Sequence, residues 1–553
     1  MKGRNRRELL GLGLLLLLSW LVVYPLAIVL VEAVGGPGKW TLEAVRRFVG
    51  EGNEWRALGA SLGLSVASAV GAALVGIPLG VLTTSIAFPG RRIVSTLLGL
   101  PAVLPPLVGV LAFLFLYGET GFAAHLVQRL TGLDEAPWRL QGVGAVLLVH
   151  VATMYVYFYL FTRAGLSGLD PSLAEAAAAL GATRWQTFKR VTLPLLRPAL
   201  AGAGLLVFMT SLASFSAPYI FGGGFRVMTT QITATKLNGD DRLAMVETAA
   251  LLIVALIGLL LLRATEGKAD ATGARKGVGP APARVVRPMA RLGATVLGWV
   301  AALVLALPLA TLILVSFVPR GTWTMEPLPP VYSLVNYRTM LNEPSRLAPI
   351  LTSLWMAGVA TAGALLLAIA VAVLSRRGRV RSGALLEGLM ALPWAVPGTV
   401  FAIALATTMS IHAPWVGRFV LVGTIWILPL AYLVRNLPIA GRAVLTGFRQ
   451  LDPSLEEAGA SLGAGRGRIL RRITLPLLRP ALAAGASLAF VTAFGDFVTS
   501  IMLYTYDTRP ISIEVLSSLR QADVGQAAAF GVVLMALSAA VFFLAGEGQG
   551  TTG

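Results

Sequence analysis

The sequence has 553 residues, of which 56% are hydrophobic and 13% charged, and its formal net charge is +19. In soluble domains about a quarter of the residues are charged, so this chain has too few charged residues to cover the surface of a soluble protein of its length. The absence of Cys excludes disulfides, iron–sulfur clusters and thiolate metal sites. The positive charge is spread along the chain, which favours basic loops beside a membrane over nucleic-acid binding.

Twelve apolar runs are each long enough to span a bilayer, which takes about 20 apolar residues. They lie near residues 9–34, 58–87, 93–117, 141–162, 199–221, 244–262, 291–318, 349–374, 383–410, 418–437, 481–503 and 525–545. The first run is longer than the apolar core of a cleaved signal peptide, so we expect a retained first helix. The sequence therefore predicts an all-α polytopic protein of about twelve spans in the cell inner membrane.

The loops between the runs differ in charge from one side to the other. Basic residues gather in the N-terminus and in the segments 91–92, 184–197, 263–291, 376–381 and 435–479. Acidic residues mark the opposite loops: Glu119, Asp134, Glu135, Asp240, Asp241, Glu326, Glu343, Asp507 and Asp523. Because basic loops stay in the cytoplasm, the pattern predicts a cytoplasmic N-terminus.

The chain is a tandem duplication. The segment beginning at Asp170 recurs at Asp452, a shift of 282 residues, and the Pro-rich segment at Leu100 recurs more weakly at Leu392, a shift of 292 residues. Residues 264–290 are rich in Gly, Ala, Pro and basic residues and are typical of a flexible linker. We therefore expect a first six-helix domain at 1–263, a cytoplasmic linker at 264–290 and a second, parallel six-helix domain at 291–553.

The repeated cytoplasmic loop, 170–198 in the first copy, has the signals of a helix–Gly–helix. Asp170 followed by Pro171 is typical of a helix start, and Gly181 suits a left-handed helix end. A second short, basic and amphipathic helix is expected at about 183–191, ended by the prolines that follow. The second copy repeats this plan from Asp452 through Gly463.

The same loops resemble the "EAA" signature of permease subunits of binding-protein-dependent ABC importers. The matching positions are Glu175, Ala176, Ala177, Gly181, Val191, Leu193 and Pro194, and Glu457, Ala458, Gly459, Gly463, Ile473, Leu475 and Pro476. The two departures from the pattern are Val191 in place of Ile and Gly459 in place of Ala. Nearly the whole chain is similar to two fused type I permease domains, as in the ferric iron and thiamine permeases.

This resemblance implies a function and its partners. Each loop would dock one of two copies of an ABC ATPase subunit, which would carry the ATP and Mg²⁺. This chain would bind no cofactor and hold no catalytic residue, and the sequence has no phosphate-binding loop of its own. A periplasmic or lipid-anchored binding protein would deliver the cargo.

Local explanations of the loop residues remain open. Ser172 and Glu175, like Ser454 and Glu457, have the spacing of a capping box. The glycines could be simple helix stops, and the basic residues could contact anionic lipid headgroups.

One charged residue lies well inside a predicted span. Asp496 is in the eleventh run, and the repeat places Ser214 at the same position. A carboxylate at that depth needs water, a cation or a basic partner. The pair could therefore line the translocation pathway toward the outer half of the membrane, or Asp496 could pair with a buried Arg or cap a broken helix. His150 is expected to be a hydrogen-bonded core residue rather than a proton relay.

The cargo is indicated only by the outer loops 222–243 and 504–524, which echo each other around Arg226 and Arg509. They are most similar to those of the ferric iron branch, with thiamine, polyamine and phosphonate permeases as alternatives. A self-sufficient secondary transporter or channel is the alternative of another class. Such proteins usually have intramembrane ion-coupling carboxylates and lack large amphipathic cytoplasmic helices.

Overall fold

The computed structural model describes residues 2–35, 40–102, 104–270, 287–323, 326, 328–375, 382–410 and 420–550. Nearly all of them are helical, because inside lipid a helix satisfies its own backbone hydrogen bonds. The helices before the expected linker are α1 (Lys2–Leu18), α2 (Tyr24–Ala33), α3 (Glu43–Gly50), α4 (Gly52–Ser85), α5 (Arg91–Gly99), α6 (Pro106–Tyr117), α7 (Phe122–Thr131), α8 (Gly142–Ser167), α9 (Pro171–Ala179), α10 (Arg184–Thr187), α11 (Leu193–Leu212), α12 (Ser216–Phe221), α13 (Met228–Leu237) and α14 (Asp241–Asp270). Those after it are α15 (Pro288–Val315), α16 (Val335–Asn342), α17 (Pro344–Ser375), α18 (Gly383–Ala391), α19 (Gly398–Thr408), α20 (Ile427–Gln450), α21 (Pro453–Ser461), α22 (Arg466–Ile469), α23 (Leu475–Leu477), α24 (Arg479–Phe494), α25 (Val498–Leu503), α26 (Ile511–Arg520) and α27 (Val524–Gly550).

The helices account for the predicted membrane spans. Within the described ranges, nine helices are long and apolar enough to cross a membrane, or up to eleven if each of two bent pairs forms one span. The remaining predicted span, 418–437, overlaps α20, which has 24 residues but carries three arginines along its length. The all-α polytopic fold is confirmed.

Proline clusters break two of the spans. In the first half a 3₁₀ turn at Leu100–Ala102 separates α5 from α6. In the second half the segment Gly383–Trp394 meets α19 at an angle of 107°. Proline removes a backbone donor and clashes with the preceding turn, so a run of prolines interrupts a helix.

Arg435 lies within a helix rather than at the start of a loop. The sequence places it at the start of a basic loop, which alternation of the spans assigns to the cytoplasm. In the structure α20 continues unbroken from Ile427 to Gln450, and Arg435 lies in its first half. Its charge is tolerated there because the guanidinium is paired with the carboxylate of Asp496.

The two copies pack equivalent helices in the same way. Helix α4 packs against α8 and α11, and α17 packs against α20 and α24. Small residues allow these backbones to approach closely. At Gly76 on α4, for example, a Cβ would lie 2.7 Å from the Cβ of Phe158 on α8. The duplication read from the sequence is therefore present in the packing.

The helices form two compact units, which do not follow the two sequence halves. One unit contains residues 1–50, 235–250 and 333–553, and the other contains residues 51–234 and 251–332. In the first unit α1 packs on α18 and α2 packs on α19. In the second, α15 packs on α5 and α6. The division at 264–290 remains a prediction about the sequence.

The expected linker is partly helical. Helix α14 continues to Asp270 and α15 begins at Pro288, so both ends of the segment 264–290 belong to helices. Residues 271–286, the centre of the expected linker, lie outside the described residues.

Candidate functional site

The first repeated loop begins with the predicted cap. The Asp170 carboxylate accepts a hydrogen bond of 2.9 Å from the backbone N–H of Ser172, and Pro171 takes the first helical position of α9. That hydrogen bond lowers the pKa of Asp170. Ser172 is therefore not the cap, and the capping-box explanation of Glu175 is wrong.

Gly181 ends the first helix in a left-handed conformation, with a φ of +81°. The N–H of Gly181 donates to the carbonyl of Ala178, and that of Ala182 donates to the carbonyl of Ala177. This pairing satisfies carbonyls that the end of α9 would otherwise leave free. A residue with a Cβ is strained at this φ, so glycine is favoured here for backbone reasons.

The second loop repeats this geometry. The Asp452 carboxylate accepts a hydrogen bond of 2.9 Å from the backbone N–H of Ser454, which lowers the pKa of Asp452. Gly463 ends α21 with a φ of +78°, and the N–H of Ala464 donates to the carbonyl of Gly459. Two loops separated by 282 residues thus have one backbone design.

The second short helix of the first loop differs from the prediction, because it does not end before the membrane span. Helix α10 passes through a π turn at Phe188–Thr192 directly into α11, so residues 185–212 form one continuous helix. Pro194 lies inside this helix directly after the π turn, and local π adjustments of this kind accommodate a proline in a membrane helix. The second copy has the same π turn at Leu470–Thr474, followed by a bend of 69° before α24.

Each loop presents the same exposed face. The side chains of Glu175 and Glu457 are exposed. Beside the glycine that ends each helix, Leu180 is 90% exposed and Leu462 is 88% exposed. The duplication thus leaves one large apolar side chain uncovered at the same place in both loops. Sequence reasoning missed this pair, although the repeat aligns the two leucines.

The loops differ beside this shared face. Trp185 is exposed and stacks on Phe188 with ring centroids 5.9 Å apart. The second copy has Gly467 at the position of Trp185. In the second copy the Thr474 hydroxyl donates a hydrogen bond of 2.8 Å to Glu456. The first copy has Ala174 at the position of Glu456.

The structure explains why Gly459 departs from the signature. A Cβ at Gly459 would lie 2.7 Å from Cδ1 of Ile473. The first copy has Ala177 and Val191 at these two positions. Each pair has the same number of side-chain carbon atoms, so the two departures from the signature are complementary changes in size.

Asp496 caps a short helix after a break in the membrane helix. Its Oδ1 accepts from the backbone N–H groups of Thr499 (2.8 Å) and Ser500 (3.2 Å). Its Oδ2 accepts from Arg435 and from the Thr499 hydroxyl. Asp496 thus pairs with an Arg and caps a broken helix, as the second explanation from the sequence proposes. Its role in the translocation pathway stays a prediction.

Ser214 lies at the equivalent break, between α11 and α12, as the repeat predicts. Its hydroxyl is 2.9 Å from Nε2 of His150. The other ring nitrogen of His150 lies 3.0 Å from the Ser68 hydroxyl and 3.1 Å from that of Ser211. His150 is buried, which confirms the prediction of a hydrogen-bonded core residue. The first half therefore has a hydrogen-bond network of His and Ser side chains where the second half has an ion pair.

Comparisons with known proteins agree with the duplicated loop. The family described as "Binding-protein-dependent transport system inner membrane component" matches residues 76–266 and again 364–546. A probable ABC transporter permease protein of Sinorhizobium fredii is 31% identical over 83% of this chain and 81% of its own length. A ferric transport system permease protein of Actinobacillus pleuropneumoniae is 28% identical over 96% of this chain and 76% of its own.

A thiamine transport system permease protein of Escherichia coli is 28% identical over 82% of each chain. Permeases named for sulfate and molybdenum transport match shorter stretches, 38% and 39% of this chain.

Proposed function

Since this chain belongs to the family of binding-protein-dependent transport system inner membrane components, we propose that it forms the whole membrane pathway of an ABC importer for ferric iron. Both family segments lie in one chain, so one copy supplies both permease domains. The observation that carries the proposal is the exposed loop of helix, left-handed Gly and helix, present twice with one geometry. Family membership favours this function over a self-sufficient secondary transporter or channel.

Each loop binds one copy of an ATPase subunit. The docking residues are those of the signature: Glu175, Ala176, Ala177, Gly181, Glu457, Ala458, Gly459 and Gly463. The rigid cap and the left-handed end support this, because a helix must be stiff to transmit a movement of its partner. ATP and Mg²⁺ are bound by the partner, and the N-terminus of this chain lies in the cytoplasm.

Ferric iron is the cargo, delivered by a periplasmic binding protein. The ferric permease of Actinobacillus pleuropneumoniae supports this choice, because it matches 96% of this chain. The thiamine relative favours thiamine as the second candidate. Asp496 and Ser214 remain candidates for the pathway, with Asp496 available to a cation only if its pair with Arg435 opens.

The coupling is tested with glycine variants of the full chain, purified from its native membrane with its bound partners. Gly181→Val and Gly463→Val should abolish ATP-driven uptake and partner retention, because a β-branched residue is strongly disfavoured at these φ values. Gly181→Asn and Gly463→Asn are the matched controls and should retain both, since Asn tolerates this conformation. Uptake by the chain without any ATPase would contradict the proposal.

The cargo is tested by uptake in cells that lack the chain. Radioactive iron uptake from iron-limited medium should fall and should return with the restored gene, while thiamine and molybdate uptake should not change. Loss of thiamine or molybdate uptake with normal iron uptake would refute iron as the cargo and leave the importer function intact.

A further inference from the structure

A buried carboxylate ties the short helix α13 to the start of α4. The Gln231 amide on α13 donates to Oε1 of Glu54 on α4 at 3.0 Å. Glu54 is 1% exposed, and its Oε2 has no hydrogen-bond partner among the residues that the structure describes. Arg226 reaches the same Gln231 at 3.4 Å. We call Glu54, Gln231 and Arg226 the first tie.

A second buried carboxylate ties α26 to the start of α17. Arg346 on α17 donates to Oε1 of Glu514 on α26 at 2.9 Å, and Nε of Arg509 lies 3.0 Å from Oε2. Glu514 is 2% exposed. The Arg346 guanidinium also lies 3.3 Å from the hydroxyl of Ser518. We call Arg346, Glu514 and Arg509 the second tie.

The two ties occupy equivalent positions but distribute their charges differently. Glu54 and Arg346 are 292 residues apart, the same shift as the Pro-rich repeat, while Gln231 and Glu514 are 283 apart. The carboxylate therefore comes from the long membrane helix in one half and from the short helix in the other. The residues of the two ties differ, but in both halves a polar contact joins the short helix to the long membrane helix.

The same short helices are held by a second, identical set of contacts. The first N–H of α13, at Met228, donates to the Ser61 hydroxyl on α4 at 2.7 Å. The first N–H of α26, at Ile511, donates to the Ser353 hydroxyl on α17 at 2.8 Å. One residue further, the hydroxyls of Thr229 and Ser512 donate to the carbonyls of Ser214 and Asp496.

Helix α13 thus connects α4 to the break after α11, and α26 connects α17 to the break after α24. A movement of α13 away from α4 must break the first tie and the serine contact together. The ties lie at the end of the membrane helices that the predicted orientation places outside.

We propose that the two ties are latches that hold α13 against α4 and α26 against α17, so that Glu54, Gln231, Arg346 and Glu514 position the broken helices and control the opening of the outer end of each half. The second latch is the stronger. Its carboxylate faces two guanidinium groups, whereas Glu54 accepts a hydrogen bond from one neutral amide. The inference rests on the proposed function only for its statement that the opened end admits cargo.

The experiment uses the absence of Cys from the chain. Met228 and Ile511 are fully buried under the first and second tie, so Met228→Cys and Ile511→Cys are single reporters of opening. Each is reconstituted in lipid nanodiscs without partners, and the rate of its reaction with a polar maleimide is measured. Cys at 228 should react faster than Cys at 511, because the first tie is weaker.

Glu514→Gln should raise the rate at 511 about tenfold or more, because it removes the buried carboxylate that Arg346 and Arg509 both contact, and should leave the rate at 228 unchanged. Adding Arg346→Glu rebuilds the first tie in the second half, and the rate at 511 should fall to that seen at 228. Asp507→Asn removes an exposed charge from the same outer segment and should change neither rate.

An unchanged rate at 511 in Glu514→Gln would overturn the proposal, as would a double variant that reacts as fast as the single one. A variant in which both cysteines react faster would also overturn it, because the tie would then hold the whole fold rather than one half. Since the labelling needs neither ATPase nor cargo, its failure would leave the proposed importer function standing.

Discussion

Gly459 is the position where one added methyl group tests the packing of the second coupling loop. In Gly459→Ala the new Cβ would lie 2.7 Å from Cδ1 of Ile473 and 3.4 Å from Cγ1 of Ile469. Carbon atoms pack at about 3.5–4.0 Å, so the Ile473 side chain must change its rotamer or α21 must move. Cδ1 is the end of a flexible side chain, which limits the strain.

The size of the effect follows from two opposing contributions. Overpacking costs about 1–3 kcal/mol, and replacing a helical Gly by Ala returns up to about 1 kcal/mol. Gly459→Ala should therefore destabilise α21 by about 0–2 kcal/mol. Ile473→Val alone should cost about 0.5–1.5 kcal/mol. The double variant recreates the Ala177 and Val191 pair of the first copy, and should be more stable than the two single effects predict by about 1 kcal/mol.

The assay is hydrogen exchange of the α21 amides in the full chain in nanodiscs, for the native protein, the two single variants and the double variant. Ala458→Gly is the control, because it changes helix propensity by the same amount on the exposed face of α21. Effects that simply add, within about 0.3 kcal/mol, would refute the size complementarity. So would a Gly459→Ala variant stabilised by the full propensity difference.

Three further outcomes are expected. Asp496→Ala should lower the free energy of unfolding by about 3–5 kcal/mol, because it leaves Arg435 unpaired. Combining Asp496→Ser with Arg435→Thr, the residues of the first half, should recover much of this loss in thermal melts; no recovery would argue against the ion pair as the cause. Glu456→Ala should speed amide exchange at the end of α21 by a loss of about 0.5–1.5 kcal/mol, and equal exchange would show that the Thr474 bond contributes nothing. Hydrogen bonding lowers the pKa of Asp452 in the folded loop. The stabilisation by this cap should therefore be fully present above the unfolded pKa of about 3.9, and it should be lost as the pH falls through the lower pKa of the folded state. Protection of the Ser454 amide that persists in acid would contradict this.

The packing changes what the departures from the signature mean. From the sequence, Gly459 makes the second helix the less rigid one, because Gly is a poor helix former. In the structure this glycine makes room for Ile473, and the Glu456 contact adds a support that the first loop lacks. Sequence reasoning could not find this, since the partner lies fourteen residues away, across the turn at Gly463.

Arg435 shows the same limit at longer range. Basic residues follow Arg435 in the sequence, so the sequence assigns it to a cytoplasmic loop. Its partner Asp496 is 61 residues further along the chain, and only the tertiary structure brings the two together. The sequence did raise a buried Arg as one explanation of Asp496, but could not identify which one.

Local signals were sufficient for the helices, the broken spans, the duplication and the two loops. Apolar runs, a capping Asp before Pro, and a Gly at a helix end are local patterns of neighbouring residues, so they can be recognised in the sequence alone. The tertiary structure alone decided which segments form a compact unit, with residues 1–50 joined to 333–553, and which polar groups pair. Contacts between distant segments depend on how whole helices pack, and the pattern within any one helix does not carry that information.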